Sequence, residues 1–279
     1  MTFIARPMRT RPPFGYSRKF RTDKNNIAPR LGVAVGRGKT VIRASGGIFY
    51  DPFQTDLYRR ALLNNGTPAF FAISAIPQLP FAPAFPAVFS GLPPGFTSTF
   101  QDITTVSPDF ASLYSVNANA SISRELARDL ALTATYLFTR GNRLPVMRNI
   151  NLVPSGQQLP DGRPVFGSAR VFPGFGNILA AESVGQSVYN GLNLTLTKRF
   201  SRGFEMFATY TWSHAIDDAP EQNNIDSSNF LLSDPTNRRR DRGNSLTDRR
   251  HAFNGNLSEA VEKGAIMAAK VVPAFGPFS

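Results

Sequence analysis

The sequence predicts an all-β fold, an antiparallel up-and-down membrane β-barrel segment of about seven long strands, with short periplasmic turns and long extracellular loops. Three observations predict it. Apolar and polar residues alternate with period two over unusually long arms. The links between arms alternate strictly between short and long. Charges inside the arms, Lys198 excepted, keep to one parity.

The first hairpin, 28–50, sets Leu31, Val33 and Val35 against Gly32 and Ala34. After Gly36-Arg37-Gly38-Lys39 the return arm places Ile42, Ala44, Gly46, Ile48 and Tyr50 on one face. The second, 113–140, alternates Tyr114, Val116, Ala118, Ala120 and Ile122 with Ser and Asn. Its return arm alternates Leu130, Leu132, Ala134, Tyr136 and Phe138 with Ala131, Thr133, Thr135 and Thr139. The third, 188–214, is the clearest. Leu192, Leu194, Leu196, Met206, Ala208, Tyr210 and Trp212 share one parity, and Asn193, Thr195, Thr197, Thr209 and Thr211 the other. Each arm runs roughly 10 residues, whereas a globular strand averages about 5–6 and a tilted membrane strand needs about 9–11. A further strand is predicted over 248–257.

The remaining segments frame these arms. Residues 1–22 read as a basic, disordered lead-in without the apolar h-region of a secretory signal. The partial barrel spans 23–258, and 259–279 reads as an irregular or short helical tail. The long connections 51–112, 141–187 and 215–247 are rich in Pro/Phe/Ala, in Gly/Pro, and in Asp/Asn/Ser/Arg respectively.

Parity assigns the faces. Ile42, Ile48, Leu130, Leu132, Leu192, Leu194, Leu196 and Met206 are the expected lipid-facing residues, and Tyr50, Tyr136, Phe138, Tyr210 and Trp212 the expected interfacial girdle. Lys198 is the one charge inside an arm on that face, three residues before the Ser201-Arg202-Gly203 turn. There a lipid-facing Lys costs about 0–1 kcal/mol, against roughly 2–4 at the midplane. Arg30, Arg43, Arg199 and Glu205 take the opposite parity. A half-buried soluble sheet also alternates. A soluble extracellular β-rich surface-binding or adhesive protein is therefore the alternative reading.

Composition narrows the chemistry. The chain has no Cys and only two His, with a formal net charge of +12. Disulfides and thiolate metal sites are excluded. Arg238 to Arg242 with Arg249 and Arg250 form a basic cluster. No aromatic interleaves it and Asp234, Asp241 and Asp248 intersperse it, so it reads first as an Arg/Asp ladder in an extracellular loop or at the lumen rim; no nucleic acid is expected, and lipopolysaccharide phosphate is the better anion. Asp217, Asp218, Glu221 and Asp226 lack the spacing of a calcium loop, and no metal site is assigned. His214 and His251 lack a nucleophile partner, and Glu125 and Asp129 sit in a turn beside Arg124 and Arg128. No catalytic residue, no cofactor and no enzyme activity is assigned.

Several segments resemble one family. They are Asn25 to Ala34 with Gly38 to Asp51, Arg140-Gly141-Asn142-Arg143-Leu144-Pro145 with Arg148 to Asn151, Tyr189 to Gly203 with Tyr210 to Asp218, and Asp241-Arg242-Gly243 with Asp248 to Phe253. Together they are similar to the barrel region of Oar-like TonB-dependent outer-membrane transporters. The resemblance covers roughly residues 23–254. It implies a bacterial outer-membrane location for the parent protein, contact with outer-membrane lipid and lipopolysaccharide, an inner-membrane energising partner, and uptake of a large, unidentified ligand. Such barrels use about 22 strands, so the chain reads as a fragment of that wall, without plug or signal peptide.

Overall fold

Eight strands follow one another in a single antiparallel meander, and their order in space is their order in the chain. The computed structural model describes residues 2–3, 23–51, 57–59, 61, 71–72, 102–218, 232–261 and 265–271. The strands are β1 (Thr2–Phe3), β2 (Arg30–Arg37), β3 (Thr40–Tyr50), β4 (Phe71–Ala72), β5 (Ile103–Val106), β6 (Tyr114–Ala127), β7 (Leu130–Asn149), β8 (Leu152–Gln158), β9 (Pro164–Arg170), β10 (Ile178–Ser201), β11 (Phe204–Asp217), β12 (Gly243–Asn244), β13 (His251–Val261) and β14 (Ala265–Val271). The meander runs β2-β3-β6-β7-β10-β11-β13-β14. No pairing among the described residues joins β14 to β2, so the sheet is open.

The tight turns lie at one end. Arg202 and Gly203 both have positive φ, at 52° and 88°. That is the backbone twist a two-residue hairpin favours, and Gly adopts it without Cβ strain. Gly38 and Asp129 supply the left-handed residue of the two other described turns.

At the opposite end the strands outrun the prediction. The sequence places a long connection over 141–187, yet β7 continues to Asn149 and β10 begins at Ile178. The two stay paired from Lys198↔Leu130 to Leu179↔Asn149, with register shifts around Gly185. At about 3.4 Å per residue the 24 residues of β10 cover about 80 Å of strand. That is far more than the about 9–11 residues of a bilayer-spanning strand, and the surplus at the loop end rises as a tall two-stranded extension.

Small cores clothe this extension on both sides. Val146 and Met147 are adjacent and both buried, so they point to opposite faces. Met147 packs with Leu57, Phe110 and Ala181, and Val146 with Leu232 and Leu144. Parallel pairing of β5 to β10 adds buried Ile103 against Ile178. The β8–β9 hairpin rises from the same end. Its root is Asn151, fully buried. The Asn151 amide donates to the carbonyls of Phe172, Phe175 and Gly176 at 3.2, 3.0 and 2.6 Å, and its oxygen accepts from the Phe172 N–H at 2.7 Å.

The tail differs from the sequence reading. Ala265–Val271 is a strand paired to β13, from Val261↔Ala265 to Gly255↔Val271, where an irregular or helical segment is predicted. The free edge of β13 offers hydrogen bonds that outweigh the weak strand preference of an Ala-rich segment.

Candidate functional site

The chemistry of this protein is that of a two-faced wall. Cross-strand register brings residues of one parity into rows. One row reads Val35, Ile42, Ile122, Ala134, Leu194, Tyr210, Phe253. The next reads Val33, Ala44, Ala120, Tyr136, Leu192, Trp212, His251. Ile48, Tyr50, Leu130, Leu132, Phe138, Leu196 and Met206 lie on this same face. Every residue named from the sequence for lipid contact or for the girdle thus shares one side. It is also the bare side: Val35, Ile42, Tyr136 and Trp212 are exposed by 61%, 53%, 47% and 56%. A water-soluble sheet buries such a face.

The other face carries a polar ladder. One row reads Val41, Ser123, Thr133, Thr195, Thr209, Asn254, and the next Arg43, Ser121, Thr135, Asn193, Thr211, Ala252. Hydroxyls and amides bond across strands: Ser123 with Thr133 at 2.8 Å, Thr195 with Thr209 at 3.1 Å, and Asn193 donating to Thr211 at 3.0 Å. Asn119 donates to Ser45 at 2.8 Å.

The height of the apolar face can be read along one strand. On β7 it holds Leu130, Leu132, Ala134, Tyr136 and Phe138 before Arg140. Leu130 to Arg140 is about 34 Å along the strand, or about 26 Å of height at a tilt of about 40°. Membrane barrels carry an apolar band of about 25 Å. On β11 the same parity runs from the turn to Trp212 and then His214. Phe138 and Trp212 are therefore the last apolar residues before the polar rim on their strands. Tyr136 and Tyr210 sit two residues lower, and both hydroxyls reach toward that rim. Tyr136 donates to Asn190 Oδ1 at 2.7 Å, and Tyr210 Oη meets His251 Nδ1 at 2.7 Å.

The turn-end lysine is occupied. Lys198 Nζ donates to the Ser201 carbonyl at 2.7 Å, Ser201 Oγ at 2.9 Å and the Phe204 carbonyl at 3.1 Å, and lies 3.9 Å from the centre of the Phe204 ring. It caps the β10–β11 turn.

The loop-end charges mostly serve the scaffold. Arg148 binds Glu182 through Nε at 3.1 Å to both carboxylate oxygens. Buried Asp218 accepts from the Gln186 N–H at 2.6 Å and pairs with Arg238. Arg240 pairs with Asp161 at 3.5 Å. Burial works against the Asp248 carboxylate, but the Ala215 N–H, Arg250 and His214 together hold its pKa below the usual carboxylate range. The N–H of Arg163 does the same for Asp161, and the Thr236 hydroxyl for Asp234. The predicted Arg238–Arg250 cluster is thus partly consumed, while Arg239, Arg242 and Arg249 remain exposed. Of the acidic residues weighed for a cation, Asp217 and Asp218 are placed on β11 and just after it, and Glu221 and Asp226 lie outside the described residues. Among the described residues no group of three or more His and acidic side chains comes together to hold a metal. Glu125 faces Lys39 at 3.8 Å across a turn.

Sequence reasoning missed two loop-end arginines. Arg140 falls on the apolar parity, next along β7 after Phe138, which counting alternation would have revealed. Arg143 has a φ of +58° and lies over the Tyr114 ring at 5.4 Å. Nothing in the sequence signals that backbone.

No match is found among curated proteins. Among solved structures, the chain is similar to the outer membrane transporter YddB from Escherichia coli, with 8% identity, 80% of this chain and 24% of that chain covered, and a TM-score of 0.47. It is also similar to the FrpB iron transporter from Neisseria meningitidis (F3-3 variant), with 12% identity, 85% and 25% covered, and a TM-score of 0.42. The chain spans about a quarter of the length of these two. A family model described as outer membrane beta barrel domain matches residues 8–265. With a match of that extent, the chain belongs to the outer membrane β-barrel domain family.

Proposed function

We propose that this chain forms part of the barrel wall of an Oar-like TonB-dependent outer-membrane transporter, and that the full-length parent takes up a large ligand with energy supplied by an inner-membrane partner. The observation that carries the reading is the division of one continuous sheet into a bare apolar face about 26 Å high and a Ser/Thr/Asn-lined face. Lipid meets the first, and a wet, solute-bearing lumen meets the second. The sequence motifs at 25–51, 140–151, 189–218 and 241–253 support the narrower family. Edges left open at β2 and β14 among the described residues also fit, because hydrocarbon tolerates no unpaired strand edge and further strands would complete the wall.

The test is accumulation of large solutes by intact cells. Disrupting the gene in its native host should abolish protonophore-sensitive uptake of at least one solute in a panel too large for passive pores. Unchanged accumulation of the whole panel would overturn the transporter reading. So would uptake that persists undiminished with protonophore, since an open pore behaves that way.

A further inference from the structure

Arg140 and Arg143 lie on the apolar side of the sheet, just beyond its last aromatic tier. Arg140 follows Phe138 on the outward parity of β7, and its cross-strand neighbours are Val116 and Val188. Arg143 comes to the same side, because its guanidinium lies over Tyr114, which shares the parity of Val116. Tyr114 in turn packs on Tyr50, ring centres 5.6 Å apart. Both arginines are exposed, and no ion pair reaches either among the described residues. Arg143 is also held in the left-handed region at φ +58°, beside the register shift of β10 near Gly185. A non-glycine residue keeps that conformation only where its surroundings impose it. Next to it opens a largely apolar cleft lined by Leu57, Phe110, Leu113 and Pro145, with Asp51 its one carboxylate among the described residues.

Two guanidiniums against one carboxylate leave this patch cationic. Below it lie Val116 and Val188, beside it an apolar cleft, and above it the loop end. A free anion needs only the charges. A molecule with a phosphate and acyl chains uses all of these features: phosphate oxygens for the planar forks, and apolar surface for the chains. We infer that Arg140 and Arg143 form a binding site for the phosphate of an outer-leaflet lipid. The inference rests on the membrane orientation proposed above.

The experiment uses the protein extracted from outer membranes in mild detergent. Wild type, R140Q/R143Q and the turn-end control R37Q/R128Q are purified in parallel, and folding is checked by heat-modifiable migration. Co-purifying lipid is extracted and its phosphate and acyl chains are quantified by mass spectrometry. Wild type and the turn-end control should retain a phosphate-bearing lipid, and R140Q/R143Q should retain at least fivefold less. If the double variant migrates as unfolded, the single variants R140Q and R143Q take its place, each with a partial loss. Equal retention in folded R140Q/R143Q would overturn the site. Phosphate bound without acyl chains would overturn its assignment to lipid. Absence of the wild-type protein from the outer membrane would instead sink the membrane reading itself, so the two failures are distinguishable.

Discussion

Lys198 illustrates how a charge can occupy an apolar face without meeting lipid. Its three short hydrogen bonds go to the turn that follows it, and its charge rests on the Phe204 ring. Hydrogen bonds from a charged donor are worth about 1.5–3 kcal/mol in favourable cases. Lys198→Met keeps the stem but leaves two turn carbonyls without this donor. It should lower stability by about 1–3 kcal/mol, read as a shift of the urea midpoint in micelles; an unchanged midpoint would refute the capping role. Period-two counting was enough to put Lys198 near the turn on the outward side. Its targets were not legible, because they depend on the register irregularity between Lys198 and Ser201. Nor were those of Asn151, whose four side-chain hydrogen bonds go to three residues of a loop more than twenty residues away.

Strand β10 is legible in the sequence over only part of its length. Its lower half alternates cleanly, so its face was readable residue by residue from the sequence. Its upper half, Ile178 to Ser187, was hidden in a Gly/Pro-rich connection, and the shifts around Gly185 break the period. Only pairing with β7 makes that half a strand. Leu194 lies at the centre of the outward run Asn190, Leu192, Leu194, Leu196, Lys198, and Thr195 is its neighbour on the polar side. Leu194→Arg should destabilise the protein in a bilayer by about 2–4 kcal/mol, whereas Thr195→Arg should change it by less than about 1 kcal/mol. Denaturant titration of vesicle-inserted protein checks this. Equal losses would contradict the assignment of faces. The Ala265–Val271 strand is the opposite case: its composition does not announce β structure, and the edge of β13 supplies the reason for it.

For the molecule as a whole, the strict succession of short and long links foretold a meander with its turns at one end. The sequence did not foretell that the long links would build a second storey around β7 and β10. That storey depends on contacts such as Met147 with Leu57 and Val146 with Leu232, which no local pattern encodes. The described sheet is open, so protection of its amides should be graded. The interior strands β7 and β10 are paired on both sides, while β2 has one neighbour. Amide exchange in micelles should therefore be slowest in Leu130–Thr139 and Tyr189–Lys198 and at least tenfold faster in Arg30–Arg37, since local opening is easiest at an edge. Protection of β2 equal to that of β7 would mean that another strand covers this edge.

The direction of travel has a topological consequence. β2 runs from the loop end toward the turns, because Arg30 starts it opposite Gly47 and Arg37 ends it beside the first turn. Thr2–Phe3, which precede it, pair with Phe71–Ala72 within a loop-end connection. The chain therefore enters the wall from the loop end, and a tag spliced just before Arg30 would be displayed on the side that carries the long links.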